Sequence, residues 1–356
     1  MLTIQYHDDF ESVEQGWRGC TEHQTLFNSV DWCRAWWSTW GNAVGKQLNI
    51  ISIYDGSEMV GVLPLYKARY PNSWGLPNNQ WQIVGSHYPS GLTILSEYSD
   101  IAVRKGYGDQ VTQALLEPLN KLGYATLVTP FIAPDSLLRQ CLSGPIVKLS
   151  EGFGVRVGTQ GEWSGYLSSL SKSTRLKTFN RRKLLESTGS VALVNQPVTS
   201  LNTFFEQLNS FHAARWGNPC FGELSQSFYQ TLVGSLDKGD MLFRPVLSTL
   251  TVDESVISVL FNIEFHSVTY NIQAGFDQSF HPKLALGSLH LGYAIEEAFA
   301  RQDIKHFDLL FGEGKNTFYK HNYLGNSGQL IPFSTQLAFD NYFSYCRYRL
   351  KRLIGR

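Results

Sequence analysis

The chain has 356 residues with 30 Lys and Arg against 30 Asp and Glu, so its formal charge at neutral pH is zero. Only 17% of residues are charged and 43% are hydrophobic, with 22 Phe, 17 Tyr and 9 Trp, which argues against a disordered tail, a fibre or a strongly basic DNA binder. Such a chain can bury a large core, and its length suits two domains.

The first residues carry neither a basic start nor an apolar run of signal-peptide length, and no apolar stretch approaches the roughly 20 residues of a membrane span. Five scattered cysteines without a C-x-x-C pair point to neither a disulfide framework nor a zinc site, and no metal is expected. A cytoplasmic location fits.

In chain order, Asn28 or Ser29 caps a helix over 30–40 in which Trp32, Trp36 and Trp40 share one stripe, ended by Gly41. Two strands, Leu48 to Tyr54 and Met59 to Tyr66, flank Asp55-Gly56, a hairpin signal. Residues 71–91 read as loop. A helix with Val111, Leu115, Leu116, Leu119 and Leu122 on one side leads through Gly123 to a strand at Ala125 to Val128. The second half repeats this order at greater length. A basic segment at 171–188 precedes a strand at Val191 to Val194 and helices near 200–215 and 225–237. Strands follow at Met241 to Val252, Ser255 to Phe265 and Val268 to Gly275, with turns at Asp253-Glu254 and His266-Ser267. Ser288 opens a helix, His306 to Phe311 is a strand ended by Gly312, and a short helix, a strand to Phe339 and a last helix close the chain. The pattern predicts an α/β protein with mixed sheets, in two related domains over 1–160 and 161–356.

This order, with Gly275-Phe276-Asp277, Gly287-Ser288-Leu289, Phe307 to Gly312, Tyr319-Lys320 and His212-Ala213-Ala214-Arg215-Trp216, resembles the GNAT acyltransferase superfamily. It is similar to the CelD-type branch linked to cellulose and exopolysaccharide production, and more distantly to FemA/FemB-type aminoacyltransferases, which carry tandem domains. Ala285-Leu286-Gly287 stands where the family often has Ser-Pro-Gly. The resemblance implies acetyl-CoA or another acyl-CoA as donor, bound by the second domain; an acceptor in the cleft between domains is expected because ligand sites often lie there. The resemblance also implies that Tyr319 protonates the leaving thiolate, with Tyr323 as the alternative.

The residues allow the same chemistry. Gly287 and Ser288 at a helix N-terminus present free N–H groups to a pyrophosphate, and Lys283 adds a charge. Asp308 and Glu264, acids within apolar strands, are candidate bases, and His212 with Arg215 is placed to line the acceptor pocket. No Ser-His-Asp or Cys-His signature accompanies them, which fits direct transfer.

The zero charge is an average. Residues 1–100 hold ten acids and five bases, whereas 172–183 and 347–356 hold eleven bases and no acid. In the first basic run, Arg175 and Arg182 share a face if it is helical; a solvated face, a clamp for an anionic or lipid-linked sugar acceptor, and an RNA contact are the readings, the first being the default. In the second, bases alternate with Tyr, Phe, Leu and Ile, compatible with peripheral membrane contact or with packing on the second domain. The resulting expectation is an N- or O-acyltransferase acting on an amine or hydroxyl, for instance on a surface-polysaccharide sugar. The alternatives are a FemA/FemB-like aminoacyl-tRNA enzyme and a non-catalytic protein that keeps the fold.

Overall fold

Gly56 takes the positive φ (61°) that the first position of a two-residue hairpin loop demands, and Asp55 pairs with Glu58 across it. A computed structural model describes residues 2–69, 79–88, 91–123, 125–234, 243–311 and 319–354, so the strand-ending Gly312 and residues 71–78 of the loop expected over 71–91 lie outside the described residues, while Gln80–Ile83 within that span is a strand, because it pairs with a strand on either side. The chain forms two units, Met1–Gly152 with Pro332–Arg356, and Phe153–Ile331. The last strand and helix thus pack with the first half, although their sequence position suggested the second.

In the first unit, β1 (Thr3–His7) and α1 (Glu14–Arg18) precede α2 (Val30–Val44), β2 (Gly45–Asp55) and β3 (Glu58–Ala68). Next come β4 (Gln80–Ile83), β5 (Ala102–Val103), α3 (Gly108–Lys121), β6 (Thr126–Ile132) and α4 (Leu137–Gln140). Ser29 caps α2 by accepting from the Trp32 N–H, and Trp32, Trp36 and Trp40 are all 2% exposed or less, a core stripe as their spacing predicts. The helix runs through Gly41 to Val44 rather than ending there. A Cβ at Gly41 would lie 2.6 Å from the Trp37 ring, so the glycine makes room for that ring instead of breaking the helix.

The second unit begins within β7 (Ile146–Gly158), followed by α5 (Trp163–Ser169), α6 (Lys172–Arg175), a π-helical turn at Leu176–Asn180 and α7 (Arg182–Glu186). β8 (Val191–Gln196), α8 (Leu201–Trp216), α9 (Glu223–Gly234), β9 (Phe243–Val252), β10 (Ser255–Phe265) and β11 (Val268–Phe276) come next. Then follow α10 (Leu286–Ala300), β12 (His306–Phe311) and a short helix at Tyr319–Tyr323. Asp253 and Glu254 both adopt positive φ, the two-residue turn that matches strand twist, and His266 does so in the next hairpin. The chain ends with β13 (Gly328–Ala338) and α11 (Tyr342–Ile354).

Both units build one topology. In the first, β1, β2, β3 and β4 are antiparallel neighbours, β4 lies parallel to β6, and β6 is closed by antiparallel β13. In the second, β8, β9, β10 and β11 are antiparallel, β11 lies parallel to β12, and β12 is closed by antiparallel β7. A helix, α3 or α10, makes each parallel crossover. The duplication extends to backbone detail, since Phe131 near the end of β6 and Leu310 near the end of β12 both have positive φ. Closing strands are exchanged in sequence: β7 follows the first unit's β6 but closes the second sheet, and β13 follows β12 but closes the first.

Candidate active site

β11 and β12 begin side by side and then part. Their parallel register runs from Val268 with His306 to Tyr270 with Asp308, and the rest of β11, Asn271 to Phe276, leaves β12 behind. The divergence has an identifiable cause in β12. Leu310 sits at φ 60°, a conformation that costs an L-residue roughly 1–2 kcal/mol, so something must hold it. Asp308 Oδ1 accepts the Leu310 N–H at 2.8 Å, and the Lys320 ammonium donates to the carbonyls of Leu309, Leu310 (3.1 Å) and Phe311 (2.7 Å). An acid takes the kink's N–H and a lysine takes its carbonyls.

Between the separated strands lies a cavity of about 740 Å³, a size suited to a cofactor-sized ligand. Asn271 and Gln273, on either side of an irregularity in the register of β11 with β10, both line its wall, with Phe276 further along. α8 contributes His212, Arg215 and Trp216; the N-terminus of α10 contributes Ala285, Gly287 and Ser288; Phe311, Tyr319, Lys320 and Tyr323 complete the far side. α10 starts at Leu286, two residues earlier than expected, and no side chain caps it. Its first N–H groups are therefore available to an anion, and the helix dipole adds positive potential. A Cβ on Gly287 would lie 2.6 Å from the Phe276 ring, so the glycine lets that ring close on the helix start. Among the described lining residues, Arg215 and Lys320 are cationic and none is a carboxylate.

His212 places Nδ1 2.7 Å from the Asn218 carbonyl, which can only accept, so Nδ1 carries the proton and a neutral ring keeps its lone pair on Nε2. Arg215 lies 4.7 Å from the Trp216 ring and 5.0 Å from the Phe276 ring. Tyr319 is 56% exposed at the cavity rim, so the desolvation that raises its phenol's pKa, opposed by the charge of Arg215, is partial; full burial pushes that of Tyr323 up to about 12, opposed by a hydrogen bond with Ser288. Each phenol is protonated at neutral pH, as an ordinary tyrosine is.

Of the residues singled out from sequence, the structure brings together Tyr319, its alternative Tyr323, Gly287, Ser288, His212 and Arg215. Asp308, Glu264, Arg175, Arg182 and Lys283 belong elsewhere. Asp308, with its side chain out of water, is held by Arg156 Nε at 2.7 Å as well as by Leu310, so it shapes the strand and does not face the cavity. Glu264 is shared between Arg244 (2.6 Å) and Arg301 (2.5 Å). Neither acid lines the cavity. Arg175 donates to the Ser168 (2.7 Å) and Leu170 (2.5 Å) carbonyls, tying down the end of α5. Arg182 pairs with Glu296 and lies 3.7 Å over the Tyr293 ring. The π-helical turn between these two arginines breaks the regular period that would have aligned them, so they form no clamp. Lys283 is exposed on the loop before α10 and is absent from the cavity wall. Sequence reasoning named Lys320 and Trp216 within motifs but gave them no role, and passed over Asn271 and Gln273, for which their polar character within β11 was the available signal.

Residues 172–321 match the family model of the acetyltransferase (GNAT) domain.

The fold is GNAT-like. Among solved structures, the chain is similar to FemX, with 12% identity over 99% of this chain and 100% of that one at a TM-score of 0.63. It is also similar to the C-terminal DUF2156 domain of a putative lysylphosphatidylglycerol synthetase from Agrobacterium fabrum, with 12% identity over 97% of each chain and a TM-score of 0.55. A conserved protein of unknown function from Bacteroides thetaiotaomicron follows at 10% identity over 95% and 100%, with a TM-score of 0.52. At these identities the likeness is one of fold. No curated protein matches the sequence. Among the described residues no helix is long and apolar enough to cross a membrane, and no group of three or more His, Cys, Asp or Glu is placed to hold a metal.

Proposed function

We propose that the second unit is an acyl-CoA-dependent acyltransferase, moving an acetyl or similar group onto an amine or hydroxyl. One observation carries this reading: the uncapped N-terminus of α10 opens into a cavity with Arg215 and Lys320 and without a carboxylate among its described lining residues, which suits a pyrophosphate donor. The first unit lacks that arrangement, because Asp109 occupies the first turn of the equivalent helix α3 and repels phosphate.

The acceptor attacks the thioester carbonyl while Nε2 of His212 takes its proton. As the tetrahedral intermediate collapses, the carbon–sulfur bond breaks and the Tyr319 hydroxyl protonates the departing thiolate; solvent then restores the phenol. This assigns the base to His212 in place of Asp308 and Glu264. Asn271 and Gln273 offer amides to a hydroxylated acceptor such as a sugar of a surface polysaccharide, as the CelD-type resemblance implies.

Labelled acetyl-CoA should bind saturably, and Tyr319→Phe should lower kcat about a hundredfold while donor affinity holds. An unchanged rate would remove Tyr319 from the chemistry. A second reading, an aminoacyl-tRNA donor, draws support from the exposed Lys172, Lys177 and Lys183. Retention of charged tRNA with no acetyl-CoA binding would favour it.

A further inference from the structure

Helix α11 turns its apolar side chains away from the unit that carries it. Tyr342, Phe343, Leu350, Leu353 and Ile354 are between 58% and 77% exposed. At 100° per residue, Tyr342, Cys346, Leu350 and Leu353 form one stripe, with Phe343 and Ile354 along its border. The opposite face holds half-buried Tyr345 and Tyr348, whose rings pack 5.6 and 5.3 Å from that of Phe339. The side that meets the protein is therefore the polar-aromatic one, and the outward side is the oily one, the reverse of an ordinary surface helix.

Arginines border the stripe. Arg347 lies on one flank and Arg349 on the other, while exposed Arg352 follows on the side of Tyr345 and Tyr348; the Arg349 and Arg352 guanidinium groups sit 5.9 Å over the Tyr345 and Tyr348 rings. Aliphatic stems along the helix with cationic heads beside an apolar face suit an interface between hydrocarbon and phosphate.

We propose that α11 lies flat on an anionic lipid bilayer, its stripe at the boundary between headgroups and acyl chains and its arginines on lipid phosphates. Charge selects this occupant. Residues 341–356 hold five bases and no acid, so a second copy packed stripe to stripe would set arginines against arginines, whereas anionic headgroups neutralise them. With 13 residues the helix is too short to span. This inference does not depend on the donor chemistry.

Vesicle flotation tests it. The full chain should float with vesicles containing phosphatidylglycerol and much less with phosphatidylcholine alone. Leu350→Asp with Leu353→Asp should lower flotation about tenfold or more, and Arg349→Gln with Arg352→Gln should abolish the preference for anionic lipid. Both pairs alter residues outside the buried core, so the thermal midpoint should hold. An environment-sensitive dye on exposed Cys346 should shift to the blue on vesicles. Absence of flotation, equal flotation by the leucine variant, or a concentration-dependent dimer that this variant dissolves would overturn the proposal.

Discussion

Asp308 illustrates how a buried acid can be read two ways. Alone in an apolar strand it looks like a base; in the structure its two oxygens are committed to Arg156 and to the Leu310 N–H, and its value lies in holding the kink that opens the cavity. Asp308→Ala should therefore destabilise by about 2–4 kcal/mol and weaken donor binding, measured by thermal melting and titration, with Asp308→Asn milder because its amide oxygen still accepts from Leu310. A pure loss of rate at unchanged stability would restore the base. His290 is a second buried group with a structural task. Ser258 donates to the Gly275 carbonyl and so accepts from His290 Nδ1, leaving Nε2 to accept from Ser248; the ring is neutral, and burial lowers its pKa to about 3. The unfolded chain binds this proton near pH 6.5 and the native state does not, so stability falls as pH drops from about 6.5 toward 3, by roughly 3–6 kcal/mol at full titration. Melting curves across that window should show the slope, and His290→Gln should flatten it.

At the scale of elements, the sequence was most legible where local chemistry decides. Asp55-Gly56, Asp253-Glu254 and the Trp32, Trp36 and Trp40 stripe each carry their own geometry, and each forms as its pattern predicts. Arg175 and Arg182 were less legible, because their partners, a helix-end carbonyl and Glu296, are set by tertiary packing and by a π-helical turn that the sequence pattern does not announce. That turn lies against α10 so closely that a Cβ on Gly292 would sit 2.2 Å from the Thr178 carbonyl oxygen. Gly292→Ala should force the two apart and lower stability by about 1–3 kcal/mol in chemical denaturation; a neutral effect would show that the turn relaxes freely.

For the whole molecule, the repeated order of elements was visible along the chain, and with it the mixed α/β fold. The exchange of closing strands was not visible, since β7 and β13 each have an acceptable strand pattern and nothing in either names its partner. That exchange dictates an order of assembly. The pairing of β6 with β13 joins residues as far apart in the chain as Leu127 and Ala338. On a ribosome the second sheet has every strand it needs once β12 has emerged, whereas the first, though synthesised earlier, waits with β6 as an open edge until β13 appears. The half made first is the half finished last, and its exposed edge is where misassembly during synthesis would begin.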